Sequence, residues 1–213
     1  MPITAPAGTT RELIPAGNYV AVCYSMLQMG TLKESFKGEE KHVPKVRIGW
    51  ELSDELKVFK EGEPAKPLVI EKEYTLFMNS KATLRKELQS WRGAAWTDKE
   101  AADFDITKLI GAPCMLNIIH KPSADGTKIY ENIAGITPLP KSMPKPTPFN
   151  KTRILAFDSW DDELFNSLPA FITDKIKTSP EYNAMKHPEQ FNFVDDNGQP
   201  NGNNDDDNSG LPF

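Results

Sequence analysis

The last nine residues of the chain are Asp205, Asp206, Asp207, Asn208, Ser209, Gly210, Leu211, Pro212 and Phe213. The stretch from Asp195 onward is too poor in apolar residues to bury a core. It nevertheless ends on an apolar tip that carries a ring and a terminal carboxylate. That pair of groups is what an apolar, cation-rimmed pocket on a partner protein captures. A plain solubilising tail is the competing reading, and Leu211, Pro212 and Phe213 are poor chemistry for it.

The rest of the chain has the opposite sign. Residues 1–153 hold 22 Lys+Arg and 18 Asp+Glu, a balance of +4. Residues 154–213 hold 3 and 12, a balance of −9, so the whole chain carries −5. Cations and rings are interleaved along the basic part: Lys33, Phe36, Lys37 and Lys41; then Lys45 and Arg47; then Tyr74, Phe77, Lys81, Arg85, Lys86 and Arg92; then His120, Lys121, Lys128 and Tyr130. Cations along a groove attract a phosphodiester backbone, and exposed rings stack unpaired bases. The excess of lysine over arginine suits phosphate attraction without bidentate base reading, and so little sequence preference. A polyanion tethered beside such a groove sits at high effective concentration there until nucleic acid displaces it.

Each of these residues also has a plainer reading. Phe36, among charges, is a stacking ring or a loop anchor. Lys45 and Arg47 lie on the polar face of a strand, which is a groove wall or merely a solvated face. Tyr74 and Phe77 are three apart on a strand and face opposite ways, so at most one enters a groove. Tyr130 is out of phase with Ile129 and Ile133, which favours the outer face. Trp50 and Trp91 follow apolar periodicities and belong to the core, and His120 suits a strand end.

Enzyme constellations are missing. No cysteine pair has zinc spacing, His42, His120 and His187 are scattered, and neither a P-loop nor a G-x-G-x-x-G run occurs. Asp161, Asp162 and Glu163 are adjacent and would diverge on a helix, as a solvated helix start does. The expectation is a non-enzyme with no cofactor and no metal; a nuclease with scattered carboxylates is the remote alternative. Cys23 and Cys114 sit in apolar runs and read as buried free thiols. No run approaches the ~20 apolar residues that span a bilayer, and no secretory signal is visible. The expected place is the cytoplasm, that of a bacterial host if the chain is phage-encoded.

The elements that would position these residues follow from periodicity. Strands are expected at 17–28, 43–52 and 68–78, with 31–42 a charged loop. In the second, Val46, Ile48, Trp50 and Leu52 share one face. Leu84, Leu88 and Trp91 then recur at helical spacing within 80–93, with Ser80 as N-cap and Gly93 as stop. Thr97 and Glu100 have capping-box spacing, and Asp105 caps a further turn. Strands return at 113–120 and 127–136. Three strands, a helical insertion and two strands make a mainly β protein with the order of a five-stranded OB-fold barrel, a helical insertion lying between strands 3 and 4. The domains are then 1–140, the OB barrel; 141–156, a proline-rich linker; 157–194, a C-terminal helical extension; and 195–213, a disordered acidic tail.

The ending "DDDNSGLPF" resembles the acidic tip of bacterial single-stranded DNA-binding proteins. The stretches "LRKELQSWRGAAWT", "FDITKLIGAPCMLNIIH" and "YENIAGITPLPK" resemble the body of phage-encoded single-stranded DNA-binding proteins of OB type. The resemblance implies replication and recombination enzymes as partners: polymerase, primase-helicase or nuclease. A homo-oligomer is one allowed partner arrangement, no membrane is expected as a partner, and the oligomeric state is left open. A second reading from the same residues is an OB-fold adaptor or inhibitor that holds another protein, its acidic tail mimicking DNA.

Overall fold

The computed structural model describes residues 12–36 and 38–190. Two long strands, β1 (Gly17–Phe36) and β2 (Glu39–Lys57), form an antiparallel hairpin. The alternation in β2 holds: Val46, Ile48, Trp50 and Leu52 are all buried. The hairpin runs further than composition suggests, because residues 31–36 and 39–42 of the charged stretch are strand rather than loop. Opposite charges lie across the ladder there, Glu34 facing Lys41, with Lys33 bonded to Glu40 at 2.7 Å. Such cross-strand pairs stabilise a polar ribbon.

β3 (Lys66–Thr75) pairs with β2, while β4 (Pro113–Pro122) pairs with the start of β1 and with β5 (Ile129–Pro138). A short β6 (Arg153–Leu155) pairs in parallel with Ser25–Leu27 of β1. The order is β3-β2-β1-β4-β5, with β6 off that path. Two breaks in the β1–β2 register, at Cys23/Ser25 and Gln28/Gly30, bend β1 and let its free edge serve β4 first and β6 later. The closed barrel expected from strand order does not form. β3 and β5 have no mutual ladder, so the sheet is open along that seam.

Helix α1 (Thr83–Arg92) packs against both edge strands. Its Glu87 accepts from Lys72 Nζ at 2.6 Å and from the Tyr74 hydroxyl at 2.7 Å. Lys72 also reaches the Ile133 carbonyl of β5 at 3.2 Å, and Ser90 donates to that of Ile136 at 2.7 Å. A helix thus does at the seam what strand pairing would do. Gly93 ends α1 at φ 72°, as expected, but the helix starts after Ala82 rather than Ser80. The capping box Thr97–Glu100 starts α2 (Asp98–Ala102), and Asp105 caps the turn after it.

Two apolar clusters hold the fold. The larger lies between the sheet and α1, where Trp50 and Trp91 meet at 6.0 Å. Cys23 and Cys114 are buried and free within it, and burial pushes the Cys23 thiol up to about 12. The smaller cluster joins Leu27, Met29 and Leu32 of β1 to Leu155, Phe165, Leu168, Ile172 and Ile176. These last come from β6, the loop after α3 (Asp162–Ser167), and α3 and α4 (Ala170–Lys177) themselves. The C-terminal helices therefore share a core with β1. The expected linker is itself fastened: buried Glu51 accepts from the Phe149 N–H at 2.6 Å and the Asn150 N–H at 2.8 Å.

A close docking point is at Gly30. Its φ is +78°, and a Cβ there would lie 2.4 Å from Ser179 Cβ, just ahead of α5 (Pro180–Lys186). Next to it, Glu181 accepts from the Thr31 N–H and hydroxyl at 2.9 and 2.6 Å. Gly30→Ala is expected to cost about 2–4 kcal/mol, since positive φ and overpacking act together. Urea unfolding followed by far-ultraviolet dichroism measures it; an unchanged midpoint would contradict the docking.

Candidate nucleic-acid interface

Past Thr75 the chain leaves β3, turns at Asn79 and enters α1. The Lys81 N–H donates to Asn79 Oδ1 at 3.0 Å, and the Ala82 N–H to the Asn79 carbonyl at 3.0 Å. This turn forms one wall of a cleft of about 460 Å3, with β3 and the start of α1 as the others. Four of the residues singled out from the sequence meet here: Lys45, Tyr74, Phe77 and Lys81.

Their roles differ. Phe77 is 43% exposed, and Lys81 is exposed and in no ion pair among the described residues. No side chain caps the first turn of α1, which also lacks acids, so its leading N–H groups suit an anion. Tyr74 is buried in the cleft floor, while Phe77 lies past the end of β3 and lines the same cleft, so the opposite facing expected of two rings on one strand does not hold. Burial, then the charge of Glu87, pushes its phenol well above the ordinary range, so it stays a neutral donor. Lys45 is buried too, held by Glu34 at 2.5 Å and Thr75 Oγ1 at 2.9 Å. Its charge is already matched by Glu34, so it offers the cleft no free ammonium. Lys72, which sequence reasoning passed over, stands 5.1 Å above the Tyr74 ring. The signal was its phase: Lys72 falls between Ile70 and Tyr74 on the apolar face, where a lysine sits only with a partner.

The outer face of β2 and β3 is not a cationic wall. Arg47 bonds Glu71 at 2.7 Å and stacks 5.4 Å from the Phe171 ring. Glu71 also takes Arg153 at 3.0 Å, and Glu73 takes Lys175 at 2.9 Å. The C-terminal helices and these carboxylates together cover and neutralise the face. In the β1–β2 hairpin Lys33 and Lys41 pair with Glu40 and Glu39, at 2.7 and 3.4 Å. The Phe36 side chain and Lys37 lie outside the described residues, as do Asp205–Asp207 and Leu211–Phe213.

No family model matches this chain, and no curated protein or solved structure is significantly similar to it.

The remaining residues form a second group or serve the fold. Lys121 lies opposite Tyr130 in the β4–β5 ladder, and both are exposed, as is Lys128 beyond them. None of the three lines the Phe77 cleft. In the turn between them, Ser123 and Thr127 donate to Asp125 and hold its carboxyl down at about 2. Arg92 pairs with Glu100 at 3.2 Å and stacks 5.0 Å from Trp96. Arg85 is buried, bonding Asp98 at 2.6 Å and the Trp96 carbonyl at 2.8 Å, which fixes the loop after α1. His120 Nε2 lies 2.7 Å from the Ile14 carbonyl oxygen and ties down the lead-in. Among the described residues no three His, Cys, Asp or Glu side chains gather as metal ligands, and no helix is long and apolar enough to cross a membrane.

Proposed function

We propose that this protein binds single-stranded DNA without catalysis, with little sequence preference, and recruits replication or recombination enzymes through its acidic C-terminus. The observation that carries the reading is the cleft: an exposed ring, Phe77, with a cation, Lys81, that no described residue pairs, at a helix N-terminus without a side-chain cap. The ring stacks a base, while the lysine and the leading N–H groups take a phosphate. The β4–β5 hairpin, with Lys121, Lys128 and Tyr130, adds a second contact.

The fold suits this role if the sheet is a variant OB barrel in which α1 stands in for the β3–β5 pairing. In that fold the strand 2–3 face and the adjoining loops bind oligonucleotides; here that face is already neutralised, so the β3–α1 turn and the β4–β5 hairpin would carry the contact. The likeness of "DDDNSGLPF" to bacterial tips, and of the body to phage proteins, points the same way.

Titration of the full chain with fluorescent poly-dT tests the proposal. Binding is expected to weaken with salt at a log–log slope of roughly −2, three lysines contributing about 0.7 each. Absence of binding at low salt would overturn it and leave the adaptor reading. That alternative draws support from the carboxylates that already pair Lys33, Lys41, Lys45 and Arg47. Deleting residues 195–213 is expected to tighten poly-dT binding several-fold at low salt, because a tethered competitor is lost. An unchanged affinity would remove the tail from the DNA part of the proposal.

A further inference from the structure

We propose that the proline-rich segment between β5 and β6 is a further contact for single-stranded DNA, in which Lys141 and Lys145 take phosphates and Phe149 stacks a base. The inference rests on the nucleic-acid reading above and adds a site to it. Composition reads this stretch as a linker, but both its ends are fixed. Pro138 closes the β4–β5 ladder opposite Cys114, and buried Glu51 holds the Phe149 and Asn150 N–H groups at 2.6 and 2.8 Å. Between them, Pro144, Pro146 and Pro148 set their own φ, and each keeps the residue before it out of the helical region. Residues 143–148 are thereby extended, and 144–149 contain neither helix nor strand. A polyproline-type backbone of this kind is stiff before any ligand arrives, so binding has little left to order.

Charge pairing sets this segment apart from the other basic stretches. Lys33, Lys41, Lys45 and Arg47 are matched by carboxylates. Lys141 and Lys145 are exposed and in no ion pair among the described residues. Phe149 is 56% exposed, and the two bonds to Glu51 fix the backbone that carries its ring. Free cations and a presented ring on one extended backbone are the groups that unpaired strands bind. The segment also starts where α1 stops: a Cβ on Gly93 would lie 3.1 Å from Pro138 Cγ. Lys86, exposed and in no ion pair among the described residues, stands on α1 between that point and the Phe77 cleft. The helix is 10 residues long, so about 15 Å separates its ends, and one strand can follow it from the cleft to the proline segment. The contact ends at Phe149, because the next cation, Lys151, lines a basin with Asp161 and Glu163, whose charge repels phosphate.

Poly-dT titration of the full chain against salt is the test. The cleft and hairpin lysines alone give the slope of roughly −2; two further lysines on phosphate, at about 0.7 each, steepen it to roughly −3.5. Lys141→Gln with Lys145→Gln is expected to return the slope to roughly −2. Phe149→Ala is expected to weaken binding about ten-fold at low salt, the loss of one stacked base. Both variants should melt as the wild type does, since the three side chains are exposed. A wild-type slope near −2, or variants that bind poly-dT as the wild type does, would overturn this contact and leave the Phe77 cleft standing. Absence of poly-dT binding at low salt would overturn both.

Discussion

Phe77→Ala with Lys81→Glu is expected to weaken poly-dT binding about a hundred-fold at low salt and leave thermal stability unchanged. Removing one stacking ring costs about 1–3 kcal/mol by alanine substitution. Reversing a cation beside a phosphate removes one counterion-releasing contact and adds repulsion, about another 1 kcal/mol at exposed distances. The two sum to about 2–4 kcal/mol, and a factor of ten corresponds to about 1.4 kcal/mol. Both side chains are exposed, and neither anchors a core contact, so the fold has little to lose. Arg47→Gln gives the contrast. It breaks a pair with Glu71 and a stack on Phe171, so it should lower stability and barely change DNA affinity. Equal effects of the two variants on poly-dT would place the binding surface on the outer β2–β3 face instead.

The contrast also shows what the sequence made legible. The strands and α1 were readable because burial imposes a period. Val46, Ile48, Trp50 and Leu52 all face inward, and Leu84, Leu88 and Trp91 face the sheet. Local chemistry was equally readable where it is short-range, as in the Thr97–Glu100 capping box. What was hidden depends on partners far away in the chain. Lys45 and Arg47 look like free cations until Glu34 and Glu71 are placed beside them. Nothing near position 47 announces that Phe171, from the C-terminal extension, will cover it. The same distance effect hid the seam: period shows that β3 and β5 exist but not whether they pair. Residues 31–42 misled because alternating charge reads as loop, while opposite charges facing across a ladder are strand-compatible. Phe149 was passed over because the prolines around it read as a linker, and only Glu51, far away in the chain, shows that segment to be fastened.

The seam between β3 and β5 carries the largest expected effect on stability, and Glu87 is its centre. One carboxylate accepts from both Lys72 and Tyr74, and Lys72 continues to the Ile133 carbonyl across the gap. Glu87→Ala leaves the buried Tyr74 hydroxyl without an acceptor, at about 1–3 kcal/mol, and a largely covered lysine without its counter-charge. A loss of about 3–4 kcal/mol is expected, which for a chain of this size lowers the melting midpoint by roughly 10 °C. Tyr74→Phe should cost only about 1 kcal/mol, because the Lys72–Glu87 pair survives. Adding Tyr74→Phe to Glu87→Ala should then recover about 1 kcal/mol, as removing the orphaned hydroxyl relieves the penalty. Poly-dT affinity should fall with Glu87→Ala, since Lys72 and Tyr74 form the floor from which Phe77 and Lys81 are presented. Simple additivity in that cycle would mean that Glu87 does not bridge the two, and that α1 is held to the open sheet by apolar packing alone.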